Sequence, residues 1–92
     1  MDNFEINQDY ALLPPIGVGD LVHLKSAAGL GYLLKCVVEE LSEDSLVAKP
    51  TVAYNTDGSS ITSGHGTELI GTSLLISKQA VHQVVKAPGG QV

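Results

Sequence analysis

The segment with the most reactive side-chain types is residues 57–68, with the sequence DGSSITSGHGTE. Asp57, His65 and three serines supply a carboxylate, a base and nucleophiles, and Tyr54 lies just upstream. A hydrolytic triad is defined by geometry, however, and its members usually come from separated elements. Because no Gly-x-Ser-x-Gly elbow occurs, the composition indicates first a flexible hairpin loop. A ligand-binding or enzymatic site around Tyr54, Asp57 and His65 is the alternative hypothesis, and no catalytic residue is assigned.

The histidines and the single cysteine are the candidates for metal ligands. Structural zinc needs four ligands, usually supplied by two closely spaced pairs. The residues in question are His23, Cys36, His65 and His82, and none of them forms such a pair. We therefore predict no metal and no cofactor, with the histidines of the strands at exposed positions and the thiol as a small core side chain.

The charge balance argues against a nucleic-acid partner. Ten carboxylates face five lysines, and the formal net charge is −5. Affinity for nucleic acid comes mainly from Lys and Arg on phosphates. The chain has no arginine, and its lysines are scattered among acidic residues at positions 25, 35, 49, 78 and 86. A nucleic-acid-binding function is thus only the third hypothesis.

Length and cysteine content bound the class of protein. Ninety-two residues fit one domain. A lone cysteine is typical of a reducing compartment, and neither a signal-peptide pattern nor an apolar run approaching the roughly 20 residues of a membrane span is present. We expect a cytoplasmic protein that does not bind membranes.

Polar composition and the Pro14-Pro15 pair divide the chain into three parts. Residues 1–15 are predicted to be a flexible leader that can fold back through an apolar side chain such as Phe4. Residues 16–86 form the folded domain, and residues 87–92 form a flexible tail.

The elements within this domain are predicted from hydrophobic periodicity. Residues 20–25 alternate as a strand, with Val22 and Leu24 on one side. Residues 30–41 also fit a helix, but the two glycines at its start disfavour one. A strand there, a polar turn at 42–45 and a returning strand at 46–49 make a hairpin, which is the preferred interpretation.

The remainder of the chain is rich in turn residues. Pro50 is expected to end the returning strand or to mark a sheet edge. Residues 67–72 and 74–77 are strand candidates, followed by one helical turn at 78–81 and a closing strand at 82–86. About five short strands, with one helical turn before the last, predict a mainly β fold in the form of a small barrel.

Two segments carry a resemblance to known proteins. GVGDLVHLKSAAG resembles the opening of SH3-like barrels, and LLISKQAVHQVVK resembles their closing strand, helical turn and strand. The resemblance implies an SH3-like β-barrel and, since that fold hosts unrelated activities, no particular function.

One enzyme family on that barrel is similar to residues 17–26. Type II dihydrofolate reductases open with Gly-x-Gly-Asp-x-Val-x-x-Lys-Ser, and a Val-Gln-Ile-Tyr stretch lines their active pore. The matching positions here run from Leu74 to Ser77, and only Ile76 agrees. The Gln and Tyr that contact ligand are absent, so reductase activity is not expected.

A second apolar face is the most informative feature of the predicted hairpin. Simple alternation places four apolar residues opposite the core, namely Leu33, Val37, Leu41 and Val47. Either the leader or the 55–67 loop covers them, or they form a subunit interface. We expect a non-enzymatic interaction or assembly module that binds a protein partner or, more specifically, itself as a homo-oligomer.

Overall fold

Residues 32–41 form a strand, so the extended interpretation of this contested segment is confirmed and the helix is wrong for these residues. The side chains alternate between buried and partly buried from Tyr32 to Glu39. A strand here pairs on both sides, with residues 21–25 and with residues 45–55. These backbone hydrogen bonds, together with the burial of every second side chain, favour the strand over an amphipathic helix.

The structure is a computed structural model that describes residues 4–26, 32–64 and 67–86. Its five antiparallel strands form one unclosed sheet in the order β4-β3-β2-β1-β5. They are β1 (Leu21–Lys25), β2 (Tyr32–Leu41), β3 (Ser45–Asn55), β4 (Leu74–Ser77) and β5 (Val81–Val85). Single 3-10 turns cover Tyr10–Leu12, Thr67–Leu69 and Lys78–Ala80. The mainly β prediction, with a helical turn before the last of five strands, is confirmed.

The core lies on one side of this sheet, which we call the inner face. Val22 and Leu24 of β1 are fully buried there, as predicted. Apolar residues outside the strands, including Phe4, Leu13, Ile61 and Leu69, pack against the same core. The core itself comprises Val22, Leu24, Tyr32, Leu34, Cys36, Val38, Leu46, Ala48, Ala53, Ile76, Ala80 and Val81.

Two register shifts interrupt the pairing of β2 with β3. At the first, Thr51 is the extra residue between the Cys36–Pro50 and Lys35–Val52 pairs, and its hydroxyl donates to the Lys35 carbonyl at 3.2 Å. At the second, Val38 pairs with Ala48 while Glu40 pairs with Val47, so Glu39 is extra. Each extra residue changes the phase of the alternation beyond it.

Of the two outcomes expected for Pro50, it does not end the returning strand but lies where β3 is a sheet edge, beyond its pairing with β4. It lies buried within β3, opposite Cys36. The pairing of β3 with β4 stops at Ala48, so the missing amide hydrogen of Pro50 interrupts no ladder with β4. The Pro50 carbonyl accepts instead from the Gly71 amide at 2.9 Å.

The predicted strand at 67–72 is also wrong. Thr67–Leu69 is a 3-10 turn, and the Thr67 hydroxyl donates to the Gly64 carbonyl at 2.6 Å. Gly71 follows with φ +85°, a conformation outside the extended region of a regular strand that glycine adopts without strain. The strand at 74–77 and the helical turn after it are present as predicted, and the Ser77 hydroxyl caps that turn by accepting from the Gln79 amide.

Hydrogen bonds near β1 connect the first residues of the folded domain with its last residue. Gly17 and Asp20 form a turn in which the Asp20 carboxylate accepts from the Gly17 amide at 2.8 Å. Gly19 occupies the turn position with φ +92°, which disfavours any residue with a Cβ. The ammonium group of Lys86, just after β5, donates to both the Asp20 carboxylate and the Pro15 carbonyl.

The segment before this turn is hydrogen-bonded to β1 and to the residues around the start of β5. The Glu5 amide donates to the Lys25 carbonyl at 2.8 Å, and the Asn7 amide donates to the Gln79 carbonyl at 2.7 Å. The Asn7 side chain also donates to the Val81 carbonyl at 2.9 Å. Within the described ranges, no helix is both long and apolar enough to cross a membrane.

Candidate functional site

The face of the sheet opposite the core, which we call the outer face, carries at least one apolar side chain from every strand. Register places Leu75 beside Val47, Leu21 beside Val37, and Val85 beside Leu21. Val47 and Val37 are diagonal neighbours, because Val37 pairs with Lys49 and diagonal side chains on one face come within about 7–8 Å. These five residues, Leu75, Val47, Val37, Leu21 and Val85, form a line across the sheet that we call the outer strip.

The outer strip is accessible to solvent in this structure. Leu75 is 75% exposed and Val85 is 38% exposed, while the three central residues are partly buried between their neighbours. Of the apolar side chains in the N-terminal segment and the 55–64 loop, Phe4, Leu13 and Ile61 pack against the inner core, while Ile6 and Leu12 are exposed. The described parts of both segments therefore leave the outer strip open.

The four predicted interface residues separate into three groups. Val37 and Val47 belong to the outer strip. Leu33 lies on the same face, beside Tyr54. Leu41, which is 37% exposed, lies elsewhere: it pairs with the buried Leu46, so its side chain is on the rim of the inner face. The extra residue Glu39 causes this difference from simple alternation.

The strip also contains residues that the sequence did not suggest for this role. Leu75, the most exposed of the five, falls between Leu74 and Ile76 in a short apolar run where a face is hard to assign. Leu21 and Val85 lie in or beside segments that were predicted as strands, but their pairing with each other could not be read from the sequence. The pairing of β1 with both β2 and β5 brings them into the line.

Charged side chains flank the strip along β2 and β3. Glu39 accepts a hydrogen bond from the Ser73 hydroxyl at 2.7 Å and lies 3.4 Å from the Lys49 ammonium group. The Ser73 hydrogen bond and then Lys49 hold the pKa of Glu39 below its ordinary value. Glu40 and Lys35 point outward on either side of Val37.

His23 lies on the outer face between Lys35 of β2 and Gln83 of β5. Its Nε2 atom is buried and has no hydrogen-bond partner among the described residues. Burial, and then the nearby Lys35, lower the pKa of His23, and the side chain of Gln83 acts in the opposite direction. This environment favours the neutral imidazole and differs from the exposed position predicted for His23.

The alternative site around Tyr54, Asp57 and His65 is only partly described. Tyr54 lies in β3 and forms a bridge with Ser60, while His65 lies outside the described residues. The Asp57 carboxylate accepts from the Ser59 amide at 2.9 Å and from the Ser59 hydroxyl at 2.7 Å. The hydroxyl bond, and then the amide bond, lower the pKa of Asp57. Asp57 thereby stabilises a turn, next to Gly58 with φ +93°.

Other reactive groups have surroundings that limit their chemistry. Burial raises the pKa of the Cys36 thiol to about 12, which disfavours the nucleophilic thiolate. A cavity of about 220 Å³ is lined by charged and polar side chains around Asp44 and Lys78, and it is smaller than the roughly 300–1,000 Å³ of most ligand pockets. Within the described ranges, no three His, Cys, Asp or Glu residues lie together as metal ligands.

The lysines form ion pairs at several separate places. Lys25 lies 3.4 Å from Glu5, and Lys49 lies 3.4 Å from Glu39. Lys86 pairs with Asp20. These ion pairs neutralise much of the positive charge that binding to the phosphate groups of a nucleic acid would require.

Comparison with known proteins adds no further constraint. No protein-family model, curated protein or solved structure matches this chain significantly. The outer face and its chemistry are therefore the features of this chain that bear on its function.

Proposed function

We propose that this protein is a non-enzymatic assembly module that associates with itself through the outer strip. The observation that carries the proposal is the line of apolar side chains from all five strands, left open by the segments that could have covered it. Apolar patches that extend across a surface usually mark protein contacts. We include in the proposal that the five-stranded sheet is a scaffold of the SH3-like kind, which the resemblance of the two end segments supports.

The energetics favour association of modest strength. Fully burying a Val or Leu side chain gains about 1.5–3 kcal/mol, so a partly exposed one gains roughly half as much. Ten such side chains in a face-to-face pair supply about 10 kcal/mol. Association costs on the order of 4–15 kcal/mol, and at the low end of that range about 6 kcal/mol remains, which corresponds to a Kd of tens of micromolar. We expect self-association of about this strength, sensitive to single substitutions in the strip.

The single buried cysteine is in keeping with a cytoplasmic location, which we include in the proposal. Cys36 has no cysteine partner in the chain, and a lone buried thiol is typical of reducing compartments. An interaction module there needs no cofactor, and the proposal assigns none.

The test compares two exposed leucines. Leu75→Glu introduces a charge at the most exposed position of the strip, and Leu12→Glu introduces the same charge at a residue that is 82% exposed outside it. We expect light scattering at roughly 100 micromolar protein to show oligomers for the unmodified protein and for Leu12→Glu, and monomers for Leu75→Glu. A strict monomer in the unmodified protein, or equal behaviour of both variants, would contradict the proposal.

A further inference from the structure

The outward side chains of β2 place opposite charges on the two sides of the outer strip. Lys35 lies on one side of Val37, and Glu40 lies on the other. These residues are five positions apart, so strict alternation would place them on opposite faces. The extra residue Glu39 shifts the phase, and for that reason both charges share the outer face.

These two charges differ from their neighbours in having no ion-pair partner among the described residues. Lys49 and Glu39, which lie between them, pair with each other at 3.4 Å. Lys35 affects His23 electrostatically, but it has no carboxylate within ion-pair distance in the described ranges. The outer face therefore carries one available positive charge and one available negative charge, separated by the apolar strip.

We propose that two copies of this chain pack outer face to outer face about a two-fold axis that runs parallel to the outer strip, which brings Lys35 of each copy to Glu40 of the other. This inference depends on the proposed function and specifies its partner and geometry. A two-fold contact uses the same patch on both copies, and the patch must therefore be complementary to itself.

Charge selects this axis over the other simple choice. Rotation about an axis parallel to the strip reverses the strand direction, so each copy of β2 runs antiparallel to its counterpart. Lys35 then faces Glu40 twice, and each strip residue faces its own counterpart. Rotation about an axis parallel to β2 would instead place Lys35 against Lys35 and Glu40 against Glu40. Opposed like charges disfavour that arrangement and opposed unlike charges favour the first.

The experiment uses charge reversal with mixing. Lys35→Glu places two like-charge pairs in the proposed dimer, and so does Glu40→Lys. We expect each variant alone to dissociate about tenfold more readily in sedimentation velocity, because two exposed charge contacts become repulsive and tenfold corresponds to about 1.4 kcal/mol for the two together. An equimolar mixture of the two variants, and the double variant, restore opposite charges at both contacts and recover the original affinity. Measurement at pH about 8 keeps His23 neutral in every variant.

Two control variants distinguish the proposed dimer geometry from a general effect of net charge. Lys78→Glu and Glu43→Lys make the same changes in net charge outside the outer face, so neither variant should alter association. If the single reversals have no effect, or if the mixture associates no better than its components, the proposed axis is wrong. Should Leu75→Glu still give monomers in that case, self-association through the strip stands and only the geometry fails. An unaffected Leu75→Glu variant would overturn both.

Discussion

The inner and outer faces of this sheet draw apolar side chains from the same five strands, yet their surroundings differ. On β4, Ile76 is buried while its neighbour Leu75 is 75% exposed. On β2, Cys36 is fully buried and Val37 only partly so. Along each strand the side chains alternate between the two faces, but only the inner face is covered by a second layer of apolar residues. The apolar residues of the strands alone therefore do not show which face is the core. The segments outside the strands pack on the inner face, and the outer face is left available to a partner.

The largest expected difference between the faces is in folding stability. Leu24→Ala removes a fully buried side chain and should lower the free energy of unfolding by about 2–5 kcal/mol. Leu75→Ala removes an exposed one and should change it by less than about 0.5 kcal/mol. Urea unfolding, at a protein concentration where the unmodified chain is monomeric, measures both.

A milder substitution covers the case in which Leu24→Ala does not fold. Ile76→Val, adjacent to Leu75 on β4, should cost about 0.5–1.5 kcal/mol. Equal losses for an inner and an outer substitution on the same strand would remove the distinction between the two faces.

The inner face should also confer a loss of stability in alkali. The pKa of Cys36 is raised from 9.0 to about 12 by burial, so the thiol stays protonated in the folded state while the unfolded chain ionises. The contribution of the buried thiol to folding stability is fully present below pH about 9 and decreases as the pH rises toward 12. The loss reaches roughly 2 kcal/mol near pH 10.5. The free energy of unfolding against pH measures this effect.

Cys36→Ala is the control for the alkaline effect. Burial, and then Glu68, also raise the pKa of Tyr32, so both proteins lose stability at high pH. The variant should lack the part of the slope that belongs to the thiol. Parallel curves for the two proteins would show that Cys36 is not shielded as its position on the inner face requires.

The smallest expected effect concerns the outer face and acid. His23 has a lowered pKa, mainly because of burial, so the unfolded chain binds a proton more readily than the folded one. The contribution of His23 to folding stability is fully present above the ordinary histidine pKa of about 6.5 and decreases as the pH falls below that value. His23→Gln should flatten the unfolding free energy between pH about 7 and 5. An unchanged slope there would mean that the imidazole is solvated.

The sequence was sufficient to predict the elements in which alternation is regular. Val22 and Leu24 identified β1, and the core position predicted for Cys36 identified the inward side of β2, because period-two burial is a local property of a strand. The helical turn before β5 was also predictable from its position between two β-rich segments. Residues 67–72 were mistaken for a strand, since β-prone residue types outweighed the turn around Gly71 in that interpretation.

The parts that could not be predicted depend on pairing between strands. A one-residue shift between β2 and β3 moved Leu41 to the inner rim and brought Glu40 to the outer face. Such a shift is decided by how two strands fit together, and neither strand alone records it. Leu75 entered the outer strip for the same reason, through its pairing with Val47.

The most direct test of the outer strip is the methyl NMR spectrum recorded from micromolar to millimolar protein concentration. We predict concentration-dependent shifts for methyl groups of Val37, Val47 and Leu75. Methyl groups of Leu24 and Ile76, on the inner face, should stay unchanged. Shifts that are absent throughout, or that occur at Leu12 and not at the strip, would contradict self-association through the outer face.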